Sequence, residues 1–175
     1  SIDTCFNAGS ITSTGYLSTT DNIGGIVGDM GDYKSPTDDT IRNCYSTGTV
    51  SSRSLYSSGI AGVSENPISS CYFAGSGYKY GICFDDEGTD CYFDQEASGC
   101  KAASSMHLGS PLTTMEMKGP NALTYMPGLT SAFVVSSIGY PQLSFFANHP
   151  LAYVRRQSAV SVFQPLALTV QSPGV

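Results

Sequence analysis

Two short motifs alternate through the first hundred residues, and that alternation limits the possible folds more than length or composition does. The first motif is Ile-x-x-Cys-aromatic-x-x-Gly-x-aliphatic. It is read at Ile2, Cys5, Phe6, Gly9 and Ile11, at Ile41, Cys44, Tyr45, Gly48 and Val50, and, without its last position, at Ile68, Cys71, Tyr72 and Gly75. A degenerate fourth copy keeps Cys91, Tyr92 and Phe93. The second motif, Gly-Ile-x-Gly, stands at 25–28 and 59–62 and decays to Gly81, Ile82 and Cys83. Successive repeat cysteines lie 39, 27 and 20 residues apart, so the motifs persist while their connections shorten. Fixed short elements with variable loops are the mark of a stacked strand array. Each motif is too short for a helix and is bounded by Gly, Asn, Ser or Pro, in the manner of a strand. One such unit cannot bury its own apolar side. Copies stacked about 4.8 Å apart would place Ile on Ile, Cys on Cys and aromatic on aromatic. Gly25, Gly28, Gly59 and Gly62 fit corners where a Cβ would clash.

The pairing of GGIVG (24–28) and SGIAG (58–62) with IRNCYSTGTV (41–50) and ISSCYFAGSG (68–77) resembles the GLUG-motif repeats of bacterial surface and secreted proteins. CYFDQEASGC (91–100), GSPLTTMEMKG (109–119) and GYPQL (139–143) are similar to the segment that closes such arrays. The resemblance spans roughly residues 1–147 and departs from the pattern at YGICFDD, where GGIVG would stand. It implies an all-β fold, a parallel β-solenoid (β-helix), in an extracellular or cell-surface bacterial protein used for adhesion or scaffolding. It implies no reaction and carries no catalytic residues.

On this reading residues 1–100 are solenoid repeats of three to four rungs, 101–147 a capping segment and 148–175 a tail strand. Thr113 and Glu116 form a capping-box pattern, with Gly119 and Pro120 as the stop, so 114–118 predicts a helical turn. Ala122, Leu123, Phe133, Val134 and Val135 are placed over the end of the last rung. From 159 to 170 the chain alternates with a strand period, with Val160, Val162, Leu166, Leu168 and Val170 on one face. That strand either lies along the solenoid wall or adds to a neighbouring copy at the uncovered edge carrying Ile2 and Cys5. The second arrangement is heterologous, does not close, and builds a filament.

Composition narrows the partners. Eight Lys and Arg against fourteen Asp and Glu leave a formal net charge of −6, with the basic residues scattered. That pattern argues against nucleic acid and anionic membranes. Only 13% of residues are charged, and a surface of Ser, Thr, Gly and Asn suits extracellular β-structure. No run of 18 apolar residues exists to insert in a bilayer. The chain opens at Ser1 inside a repeat, with neither an initiator Met nor a signal-peptide pattern, and reads as a mature or excised segment of a longer exported precursor.

Candidates for chemistry are few. No Cys-x-x-Cys occurs, and His107 and His149 lie outside ligand spacing, which argues against structural zinc. Cys5, Cys44 and Cys71 share a repeat position and read as a ladder of small buried groups. Among Cys71, Cys83, Cys91 and Cys100 a disulfide suits an exported protein, although spacing does not choose the pairing. The run Asp85, Asp86, Glu87, Asp90, Asp94 and Glu96 reads first as a solvated loop. The alternative is a calcium site on Asp85, Asp86, Asp90 and Asp94, at spacings that match no EF-hand loop. Otherwise no cofactor is implied. A carbohydrate-active β-helix enzyme would need a carboxylate pair, for which Asp85 and Asp94 are the defensible choice. The chain reads as a non-enzyme. Tyr45 and Tyr72 point away from the cysteines, either as a stack that shields the strands or as a face for a glycan or protein ligand.

Overall fold

The computed structural model describes residues 1–13, 21–31, 39–52, 54, 56–77, 79–85, 88–100 and 109–148. Short strands dominate it, so the chain is all-β as expected, and most of its strand pairing is parallel. The first copy supplies β1 (Ile2–Asp3), β2 (Phe6–Asn7), β3 (Ile11–Thr12), β4 (Asn22–Gly24) and β5 (Val27–Met30). The second supplies β6 (Ile41–Arg42), β7 (Tyr45–Ser46), β8 (Val50–Ser51), β9 (Tyr56–Ser58) and β10 (Ala61–Ser64). From the third come β11 (Ile68–Ser69) and β12 (Tyr72–Phe73), and from the fourth β13 (Tyr92–Asp94). Then follow α1 (Gln95–Ser98), β14 (Ser110–Leu112), α2 (Thr114–Met117), α3 (Ala122–Tyr125), β15 (Phe133–Val134), β16 (Gln142–Leu143) and α4 (Ser144–Asn148).

Every repeat strand pairs in parallel with the matching strand of the next copy, and the register aligns each motif position with itself. Ile2, Ile41 and Ile68 are partners across the sheet β1-β6-β11. Phe6, Tyr45, Tyr72 and Tyr92 are partners across β14-β13-β12-β7-β2. β3 pairs with β8, β4 with β9 and β5 with β10 in the same sense. A one-residue slip would carry the Ile and Cys side chains to the aromatic face, so the two-faced pattern holds the register.

The residue before each repeat cysteine has positive φ: Thr4 (58°), Asn43 (53°), Ser70 (52°) and Asp90 (55°). This left-handed corner turns the chain between β1 and β2, and equivalently in every later copy. The cysteine thiol then donates to the carbonyl two residues back, at 3.4 Å for Cys5, 3.0 Å for Cys44, 3.1 Å for Cys71 and 3.4 Å for Cys91.

Two cores result. The inner one holds Ile41, Cys44, Ile60, Ile68, Cys71, Phe73, Ile82, Cys91 and Phe93, with Cys83 and Cys100. Gly59 and Gly81 are required here by close approach. A Cβ on Gly59 would collide with the Phe73 ring and the Gly81 carbonyl, and one on Gly81 would come within 2.5 Å of the Phe93 ring. The second core lies on the other face of the aromatic file, where Tyr45, Tyr72 and Tyr92 pack against Met117, Ala122, Met126, Leu129, Phe133 and Leu143.

That second core corrects the placement of the closing segment. Phe133 does not sit over the end of the last copy but leans on Tyr45 and Tyr72 of the second and third copies; Ala122 and Leu123 share a core with the aromatic file, and Val135 is exposed. After β14 the chain runs back across the copies as a strap. Gly128 N–H donates to the Tyr92 hydroxyl (2.8 Å), Thr130 Oγ1 donates to Asn43 Oδ1 (2.6 Å), and Phe146 meets Phe6 edge-on at 4.9 Å. The physical reason is area: a file of aromatic side chains running across four copies offers a longer apolar strip than the end of one narrow layer. The predicted helical turn at 114–118 is present as α2, with both halves of the Thr113–Glu116 capping box formed. The tail strand, with Val160, Val162, Leu166, Leu168 and Val170, lies outside the described residues.

Candidate functional site

The seam between the aromatic file and the strap holds the candidate site. Phe6, Tyr45 and Tyr72 stack nearly parallel, with centroids 5.2 and 5.0 Å apart. Phe133 leans on Tyr45 and Tyr72, and the Tyr72 hydroxyl donates to the Pro141 carbonyl. Tyr45 is 5% exposed and Tyr72 fully buried, so the tyrosines form the shielding stack, and the file itself is not an open ligand face.

Where the strap crosses at Pro141 a pocket of about 210 Å³ remains, lined by Tyr45, Tyr72 and Tyr140 with Thr47, Pro141 and Gln142. Tyr140 is its most solvent-facing ring. The Tyr140 hydroxyl donates to Asp94 Oδ2 (2.6 Å), and Lys118 Nζ stands 4.6 Å above the ring centroid. Burial, and after it the hydrogen bond to the Asp94 carboxylate, keeps this phenol protonated far above the ordinary tyrosine range.

Asp94 belongs to the acidic run in sequence, but its carboxylate is fully buried and occupied. Oδ1 caps α1 by accepting from Glu96 N–H (2.9 Å) and Ala97 N–H (2.8 Å), while Oδ2 accepts from Tyr140. The sequence reading missed the cap, for which Asp94 with the stop at Gly99 was the available signal; the tyrosine partner, 46 residues away, left no signal. Asp85 Oδ1 accepts from Ser64 N–H (3.1 Å), and Asp90 is an exposed corner residue that abuts Gly128. Asp86 lies outside the described residues. Among the described residues no three carboxylate, thiol or imidazole groups are grouped to hold a metal ion. The Asp85 and Asp94 pair considered for sugar chemistry is likewise divided between the Ser64 strand and the α1 cap.

All six cysteines lie among the described residues, and none is in a disulfide. Cys71 and Cys91, two of the bridge candidates, are successive members of the repeat file; Cys83 and Cys100 lie elsewhere in the inner core, where the Cys83 thiol points to Asp85 Oδ1 at 3.7 Å. Within the file, the Cys71 thiol beside Cys44 holds the Cys44 thiol below its usual range, and burial drives Cys71 well above it. Of the edge residues, Ile2 is partly buried against the inner core and Cys5 is exposed.

Compared with protein families, with curated proteins and with solved structures, the chain gives no match. No helix among the described residues is long and apolar enough to cross a membrane.

Proposed function

We propose that this chain is a parallel β-solenoid segment of a bacterial extracellular or cell-surface protein, with a non-catalytic role in adhesion or scaffolding. The observation that carries this reading is the in-register parallel pairing of like positions across copies, Ile on Ile and aromatic on aromatic, with connections of unequal length between them. Such stacking makes a stiff, extensible body whose surface is set by loops, which suits a spacer or display element. The GLUG resemblance supports the same reading. The occupancy of Asp94 by its helix cap and Tyr140 leaves the carboxylate unsuited to acid–base work.

Within an adhesive role, the contact point is the pocket at Tyr140 and Gln142. Its roughly 210 Å³ is below the about 300–1,000 Å³ of drug-sized sites and suits one sugar ring beside Tyr140. The test has two parts. Protease added to intact producing cells should remove the protein, and retention of all of it inside the cell would sink the surface assignment. The purified chain should bind immobilised glycans without cleaving them, and Gln142→Ala should weaken binding about tenfold; equal binding by that variant would remove the pocket from the proposal.

A further inference from the structure

Two places after the repeat aromatic stand Ala8, Thr47, Ala74 and Asp94, one in each copy. Strand alternation puts this position on the same face as the rings. The ladder runs on through it: Thr47 N–H donates to the Asn7 carbonyl and Ala74 N–H to the Ser46 carbonyl, both at 2.9 Å. In the fourth copy the position is polar and occupied, since Asp94 holds α1 and Tyr140. In the second copy it is polar and open. Thr47 lines the pocket at Tyr140 together with Gln142 of the strap, and among the described residues neither the Thr47 hydroxyl nor the Gln142 side-chain amide has a hydrogen-bond partner.

No charged side chain lines this pocket. Asp94 and Lys118 both touch Tyr140, but neither is among the lining residues. A hydroxyl both donates and accepts, and a carboxamide donates twice and accepts. Together they complement a group that carries donors and acceptors side by side, as neighbouring hydroxyls of a sugar do. A carboxylate entering the same space would give up its water and meet no counter-charge on the lining.

We propose that Thr47 and Gln142 select an uncharged sugar residue, held through neighbouring hydroxyls, over acidic sugars of the uronate class. This inference rests on the pocket being the adhesive contact point. Thr47 is then the specificity-determining residue supplied by the repeat array and Gln142 the one supplied by the strap. Polar groups left unpaired by a mismatched ligand are what make such a site discriminate.

The test is a titration of the full chain with the methyl glycosides of glucose, galactose and mannose, and with methyl glucuronide, read by saturation-transfer NMR and by calorimetry. At least one neutral glycoside should bind about tenfold or more tightly than the glucuronide, with an affinity unchanged between about 0.05 and about 0.5 M salt. Thr47→Val, which exchanges the hydroxyl for a methyl group, should weaken that binding about tenfold, and Thr47→Ser should restore it. Tighter binding of the glucuronide, binding that salt abolishes, or equal affinity in Thr47→Val would each overturn the assignment while leaving the pocket as a contact point. Binding of neither class would remove the contact point itself, and the assignment with it.

Discussion

Four residues of different type, Thr4, Asn43, Ser70 and Asp90, hold the same left-handed corner. The corner is therefore imposed by the stacked copies around it. Asn and Asp tolerate this conformation, whereas a β-branched residue resists it. Thr4→Asn should accordingly raise stability by about 0.5–1 kcal/mol, read as a higher urea midpoint, although it gives up the Thr4 hydroxyl bond to Asp3. A loss of stability would mean that the hydroxyl outweighs the strain. Glu116 offers a test by pH. The Thr113 N–H, and then its hydroxyl, hold the Glu116 carboxyl below its ordinary range. A folded-state value below the unfolded one contributes stability that is full above the ordinary carboxylate range and lost as pH falls through the lowered value. Wild type should therefore lose more of its urea midpoint than Glu116→Gln between about pH 5 and about pH 3, because the amide still accepts the bonds without titrating.

The strands are two to four residues long and acquire stability only from neighbours above and below. Glycine–aromatic contacts set how closely those neighbours approach. The nearest atoms a Cβ on Gly81 would meet all belong to the Phe93 side chain, whereas one on Gly59 would meet both the Phe73 side chain and a backbone carbonyl. Gly81→Ala should cost about 3 kcal/mol, and adding Phe93→Leu should recover part of it, giving a favourable coupling in a double-mutant cycle. No side-chain change should rescue Gly59→Ala to the same degree, since the opposing carbonyl cannot give way. Equal rescue at both positions would show that the backbone shifts more easily than this packing implies. The repeat motifs were legible at this scale because identical spacing and residue type recur wherever a core position recurs. The corners were not, because four unlike residues share one conformation.

Across the whole molecule, the strap ties the copies together along the aromatic face. It spans the fourth copy to the first, from the Gly128 contact on Tyr92 to Phe146 on Phe6. The Tyr140–Asp94 bond locks it at mid-length. Tyr140→Phe should destabilise the chain by about 2 kcal/mol, because the buried Asp94 loses a donor that it cannot replace with water. Hydrogen exchange on that variant should accelerate in the strap and in the aromatic sheet together. Faster exchange in the strap alone would mean that the copies stand without it.

The sequence by itself determined the copies: which positions stack, that the strands are parallel and short, that glycines mark the close approaches, and that Thr113 and Glu116 start a helical turn. These are local or periodic properties, written in residue type and spacing. Only the tertiary structure decided where the closing segment goes, that Tyr45 and Tyr72 are covered, and that Asp94 belongs to a helix cap and a distant tyrosine. Those outcomes depend on which of several apolar surfaces is large enough to hold the strap, a comparison of areas between segments far apart in the chain, which no local pattern encodes.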